Sequence, residues 1–260
     1  VSGAHLLLLA VAGIGAGLCG SVAGLASLVS YPALLAVGLS PLSANVTNTW
    51  SLLANGVGSA AGSRGELRGQ GRRIASVMLW LGLGGAVGAV LLLLGSSHVF
   101  SRAVPWLVAL GGALLLFGDQ IRGWLERRRQ AELRSVHRPG PTWQRVLPVV
   151  LVGIYSGYFG AGAGIMMLAL ISIQAVEPLP VSNAVKNVVT NGSNGVAAVI
   201  FAFAGPVNWP AAAALALGIL IGSASGPAVV RVLPERPLRI GIGIAAFGLA
   251  VALFFGWVGS

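Results

Sequence analysis

Acidic side chains are nearly missing from this chain. There are 6 Asp and Glu in 260 residues, and none lies in the middle of a long apolar run. Glu66, Asp119, Glu177 and Glu235 stand at the ends of such runs. Proton relays through membrane pumps ordinarily use carboxylates at membrane depth, so this scarcity argues against a pump of that kind. Cysteine is as scarce: Cys19 is the single one, which excludes an internal disulfide and a Cys-based zinc site. His5, His98 and His137 are scattered, and none has a second ligand at metal-binding spacing. A phosphate-binding Gly-x4-Gly-Lys-Ser/Thr loop is absent, as is a Ser–His–Asp set. These absences argue against an ATP-driven pump and an intramembrane enzyme, and no catalytic residue, metal or cofactor is expected.

Apolar residues are abundant. They make up 56% of the chain, charged residues 8%, and the mean hydropathy is +0.88. Soluble domains carry about 25% charge, so the composition is that of an integral membrane protein. Its length allows about six to eight spans of roughly 20 residues. The first 30 residues lack a basic leading region and a small-residue cleavage site followed by polar sequence, and they read as part of the membrane domain. The net charge of +10 comes mainly from arginines in short loops between apolar runs, where they orient the chain and meet anionic lipid. Nucleic acid is not an expected partner.

One pattern occurs twice. Gly13, Gly17, Gly20 and Gly24 return as Gly153, Gly157, Gly160 and Gly164. Pro41-x-Ser43-x-x-Val46-x-Asn48-x6-Asn55-Gly56-Val57 returns as Pro180-x-Ser182-x-x-Val185-x-Asn187-x6-Asn194-Gly195-Val196. The two offsets differ by one residue, as a single-residue indel would leave them. Duplicated, glycine-interrupted segments at membrane depth mark secondary transporters.

The expected fold is all-α and polytopic, built from two inverted repeats. The first repeat, 1–118, holds a broken helix at 5–38 and helices at 45–62, 74–95 and 99–118. Ser43 is read as the N-cap of the second of these. A basic linker at 119–145 follows, with seven arginines: Arg122, Arg127, Arg128, Arg129, Arg134, Arg138 and Arg145. The second repeat, 146–260, holds a broken helix at 146–176 and helices at 183–204, 208–230 and 238–257. Residues 5–16 are too few to cross a core of about 30 Å, and 5–38 as one helix is too long. A helix–break–helix that enters and returns on one side fits, leaving three full crossings per repeat. Positive-inside counting agrees: 14 of the 16 basic residues then face the cytoplasm, Arg102 alone faces out, and Lys186 lies near or within the membrane. The C-terminus falls outside.

The broken segments and the polar faces beside them are the candidate binding elements. Backbone N–H groups freed around Gly20, Ser21 and Gly24, and around Gly160, Gly162 and Gly164, suit an anion, with half-helix dipoles adding positive potential. Tight helix packing is the alternative use of such glycines, as at Gly84/Gly88 and Gly218/Gly222/Gly226. Asn48, Ser51 and Asn55 share one helical face. Asn187, Thr190, Asn191 and Asn194 form the matching face in the second half. Amides are costly in lipid, so both faces must point inward, either to a ligand or as interhelical glue. Lys186, the only lysine, sits beside the second face, and its repeat equivalent is Thr47. It either serves a ligand or reaches back to the cytoplasmic interface.

The paired breaks Gly17-Leu18-Cys19-Gly20-Ser21-Val22-Ala23-Gly24 and Gly157-Tyr158-Phe159-Gly160-Ala161-Gly162-Ala163-Gly164 resemble those of the sulfite exporter TauE/SafE family. So do the Pro-x-Ser-x-x-Val-x-Asn segments and the helix ending in Leu233-Pro234-Glu235-Arg236. The resemblance covers nearly the whole chain. It implies a bacterial or archaeal inner-membrane permease for a small sulfur-containing anion, such as sulfite or an organosulfonate. Alternating access would move one repeat against the other. A channel-like pore for small anions is the alternative, because the same polar faces could line one. Partners would be the anion and membrane lipids.

Overall fold

The computed structural model describes residues 2–134, 143–174 and 177–230. Residues 231–239, 238–257 and the central part of the 119–145 linker fall wholly or partly outside them. The described residues are helical, without strands, in ten helices: α1 (Gly3–Ala23), α2 (Ser27–Ala36), α3 (Pro41–Ser51), α4 (Leu53–Gly62), α5 (Gly71–Leu94), α6 (Ser97–Arg134), α7 (Trp143–Tyr158), α8 (Ala163–Gln174), α9 (Leu179–Ala204) and α10 (Trp209–Val230). Within α1, α5 and α10, stretches of 18 or more residues are long and apolar enough to cross a membrane. Leu79, Leu83, Val87 and Leu91 recur every fourth residue on α5 and are exposed, as are Leu217 and Ile221 on α10 and Phe203 on α9. Polar Asn45, Asn48, Ser51, Ser193 and Asn187 are buried. Apolar outside and polar inside is the pattern of a chain solvated by lipid.

Several boundaries differ from the sequence reading. The glycine clusters do not break their helices along their length. α1 runs unbroken through Gly13, Gly17 and Gly20, and α7 runs through Gly153 and Gly157. With 21 residues, α1 reaches about 31 Å at 1.5 Å per residue, enough to cross the core that residues 5–16 alone would not. The chain reverses only at Gly24. A Cβ on Gly20 would meet Ala26 at 2.8 Å and one on Gly15 would meet Val29 at 3.8 Å, so α2 runs back along α1.

The helix expected at 45–62 is two helices. It starts earlier, with Ser40 as N-cap accepting from Ser43 N and Pro41 at the first helical position. Ser43 instead donates to the Pro206 carbonyl at 2.8 Å. At the interruption Asn55 N bonds Leu52 O in a tighter turn, and Asn191 Nδ2 donates to the neighbouring Leu53 carbonyl at 3.0 Å. α6 continues without a break to Arg134, through the first part of the segment read as linker.

The glycines inside α1 and α7 pack helices. A Cβ on Gly13 would sit 2.4 Å from the Leu215 carbonyl oxygen, and one on Gly218 would sit 2.0 Å from Ala10 O. The second half repeats this: Gly153 against Leu81 O at 2.4 Å, and Gly84 against Val150 O at 2.3 Å. Thus α1 lies parallel to α10, and α7 lies parallel to α5, in backbone contact. Each half gives its first helix to a long helix of the other half, so the halves interlock. Such contact is available only where a residue lacks Cβ, and it yields van der Waals packing that apolar lipid cannot replace.

Candidate functional site

The two reversals meet. Gly24 has φ 74° and closes α1 in the left-handed region; Gly160 and Gly162, at φ 79° and 83°, do the same after α7. Only glycine holds that conformation without strain. A Cβ on Gly164 would lie 2.7 Å from the Gly24 Cα, so the start of α8 touches the end of α1. α2 and α8 begin at this crossing. The N–H groups of Leu28, Val29, Ser30, Ala163, Ile165 and Met166 bond local carbonyls, so what converges here is the positive end of two helix dipoles.

A cavity of about 40 Å³ opens beside the crossing. At roughly 10–15 Å³ per water on this measure, it holds about three waters or one compact oxyanion. Of the residues singled out in the sequence, Gly20, Gly24, Asn55, Gly160, Gly164, Lys186, Asn187, Thr190 and Asn194 line it. Ser27, Thr49, Ser156, Ala26, Ala163, Leu52 and Phe159 complete the wall. No carboxylate is among the lining residues. Lys186 is only 1% exposed, and its Nζ donates to Asn183 Oδ1 at 2.7 Å. It therefore points inward and does not reach back to the interface.

Four of the residues singled out lie elsewhere. Ser21 donates to Leu18 O, and its own carbonyl accepts from Asn183 at 2.9 Å and Asn187 at 3.0 Å. Asn48 is spent within its half, accepting from Ser30 Oγ at 2.5 Å and donating to Ser27 Oγ at 3.2 Å. Gly162 packs on Gly111 and Leu114. Asn191 reaches Leu53 O through the gap left by Gly56, where a Cβ would collide with its amide. Ser51, from the same face as Asn48, donates to Thr47 O and Ala212 O. Asn45 donates to Tyr158 O at 2.9 Å, as Asn183 and Asn187 do to Ser21 O. Amides from one half thus satisfy the C-terminal carbonyls of the broken helix in the other.

The sequence face on α3 and α4 was one residue out of register. Thr49, Leu52 and Asn55 line the cavity, where Asn48, Ser51 and Asn55 were expected. The helix is interrupted at Leu52, so a single helical wheel does not run through both parts. Ser27 and Ser156 had a local signal: each lies within a turn of a reversal glycine, Gly24 or Gly160. Among the described residues no group of three His, Cys, Asp or Glu could hold a metal ion.

Comparison with known proteins gives the family. The model of the family "Sulfite exporter TauE/SafE" matches residues 9–253. The chain belongs to that family. It is 27% identical over 258 residues to a protein of Haemophilus influenzae named "Probable membrane transporter protein", covering 97% of this chain and 96% of the relative. It is 28% identical over 252 residues to "Probable membrane transporter protein ORF9" of a Sinorhizobium species, covering 96% and 92%. No solved structure matches. The protein is a multi-pass membrane transporter of the TauE/SafE family, and its relatives carry the names of transporters, not enzymes.

Proposed function

We propose that the protein is a secondary carrier for a small sulfur-containing anion, sulfite or a compact organosulfonate, in a bacterial or archaeal cytoplasmic membrane. One observation supports this most: two half-helix N-termini and a buried lysine converge on a small cavity whose wall has no acidic side chain. Such a site attracts an oxyanion, and with a buried lysine and no carboxylate in its wall it disfavours a divalent cation. Asn55, Asn187 and Asn194 add amide groups around the ligand. The cavity's small volume suits a carrier better than a water-filled pore.

In this reading the two repeats are inverted, and alternating access moves interlocked units. α1 with α10, and α5 with α7, are joined by backbone contacts at glycine and stay together. The looser seam, where α4 meets α9, slides. Calorimetry on the purified protein with sulfite, sulfoacetate, thiosulfate and sulfate, with counterflow in proteoliposomes, tests the reading. Saturable flux stimulated by counter-substrate is expected. Metal uptake without any sulfur-anion flux would sink it.

The orientation that goes with this reading puts 64–73 in the cytoplasm and 95–102 outside, following the arginine bias. In a Cys19→Ser background, Arg102→Cys should react with an impermeant thiol reagent in intact cells. Arg68→Cys should react only after the membrane is opened. The opposite pattern reverses the topology.

A further inference from the structure

We propose that the site selects a singly charged oxyanion that keeps one O–H, and that Asn55 is the residue that reads that hydrogen. This rests on the anion-carrier reading above and narrows its substrate to a protonation state. The observation is an unmet acceptor. Asn55 lines the cavity, and its Oδ1, packed against Gly20, is buried with no hydrogen-bond partner. A buried carbonyl oxygen left unpaired is destabilising, and the cost disappears when a donor arrives.

Of the four hydroxyls in the wall, Ser27 Oγ accepts from Asn48 Nδ2 at 3.2 Å, and the other three face other oxygens. Thr49 Oγ1 donates to Asn45 O at 3.0 Å, Thr190 Oγ1 to Lys186 O at 2.9 Å, and Ser156 Oγ faces Asn194 Oδ1 at 3.5 Å. The positive charge at the wall comes from the buried Lys186 ammonium and the dipoles of α2 and α8. These favour the unprotonated oxygens of an anion. Among the lining residues, Asn55 Oδ1 is the buried acceptor left without a partner, and rotation of the amide about its soft terminal torsion would present it to a ligand.

A singly charged guest also matches the charge of the wall, where Lys186 is the only ionisable side chain. A dianion would enter with one negative charge uncompensated in a water-poor site. Hydrogen sulfite in its O–H form fits this description, as do dihydrogen phosphate and hydrogen carbonate. A sulfonate has the charge but not the hydrogen. Sites built to bond a substrate hydroxyl reject analogues that lack it, because the site group is then left unpaired.

The test is calorimetric titration of the full chain with sulfite and with methanesulfonate, an anion of like charge that cannot donate. Wild type should bind sulfite at least about tenfold more tightly than methanesulfonate when hydrogen sulfite is the main species. That advantage should shrink as the pH is raised until the sulfite dianion prevails. Asn55→Ala should bring the two affinities together. Asn194→Ala, which removes a donor, should weaken both and keep their ratio. Protection of Cys19 from a thiol dye verifies that each variant is folded. Equal affinities in wild type, or an unchanged ratio in Asn55→Ala, overturn the proposal while leaving an anion carrier. Binding of phosphate or hydrogen carbonate above sulfite, lost in Asn55→Ala, supports the O–H chemistry and reassigns its source. Failure of every anion to bind removes the carrier reading and this inference with it.

Discussion

Gly88→Val should prevent the protein from folding stably, and Gly157→Val should do the same, although neither glycine lines the cavity. A Cβ on Gly88 would lie 2.0 Å from the Ile154 carbonyl oxygen and 2.8 Å from Tyr158 N. A Cβ on Gly157 would lie 2.1 Å from Gly85 O. These neighbours are backbone, so no side chain can swing aside. The helices must separate by more than about 1 Å, and the whole α5–α7 seam loses contact. Overpacking of this kind costs about 1–3 kcal/mol and occasionally more. A branched side chain against backbone on both sides belongs at or beyond the upper end. Gly71→Ala is the control: nothing lies within 4 Å of a Cβ there, and the change should stay within about 0.5 kcal/mol. Cys19, buried and single, reports the outcome, since a thiol-reactive dye reaches it only when α1 comes free. Wild-type melting of Gly88→Val would show that the seam is looser than its geometry implies.

Lys186→Gln should remove most substrate affinity while leaving the fold intact. The lysine is buried, lines the cavity, and is the only ionisable group there. Truncating one partner of a buried, hydrogen-bonded charge pair costs about 2–5 kcal/mol, or roughly 30- to 5,000-fold in affinity. Lys186→Arg should restore binding only in part, because a planar guanidinium is wider than an ammonium and the cavity is small. Asn48→Ala is the contrasting variant. Its amide holds Ser27 and Ser30 and does not line the cavity, so melting temperature should fall more than affinity. Titration with sulfite beside thermal unfolding separates the two. Affinity unchanged in Lys186→Gln would remove the lysine from the site.

Much of the candidate site could be read from the sequence because membrane burial leaves few reasons for a polar residue. Asn187, Thr190 and Asn194 fall at helical spacing on α9, and that helix is continuous, so their common face survives in three dimensions. α3 and α4 carry the equivalent residues, but the helix is interrupted at Leu52, and Thr49 lines the cavity in place of Asn48. No local pattern in residues 41–62 records it.

The chain alone shows a lipid-solvated protein with a duplicated glycine and asparagine pattern, whose polar residues must face inward. Composition and repeat settle those points, because lipid tolerates neither charge nor unpaired amides. Which glycines end a helix and which join two is set by packing in three dimensions. Gly13 and Gly24 look alike in the chain, yet Gly13 presses on the Leu215 carbonyl while Gly24 takes a positive φ and turns the backbone. The difference lies in what stands opposite each residue. A missing Cβ permits both a turn and a close approach, and long-range packing selects between them.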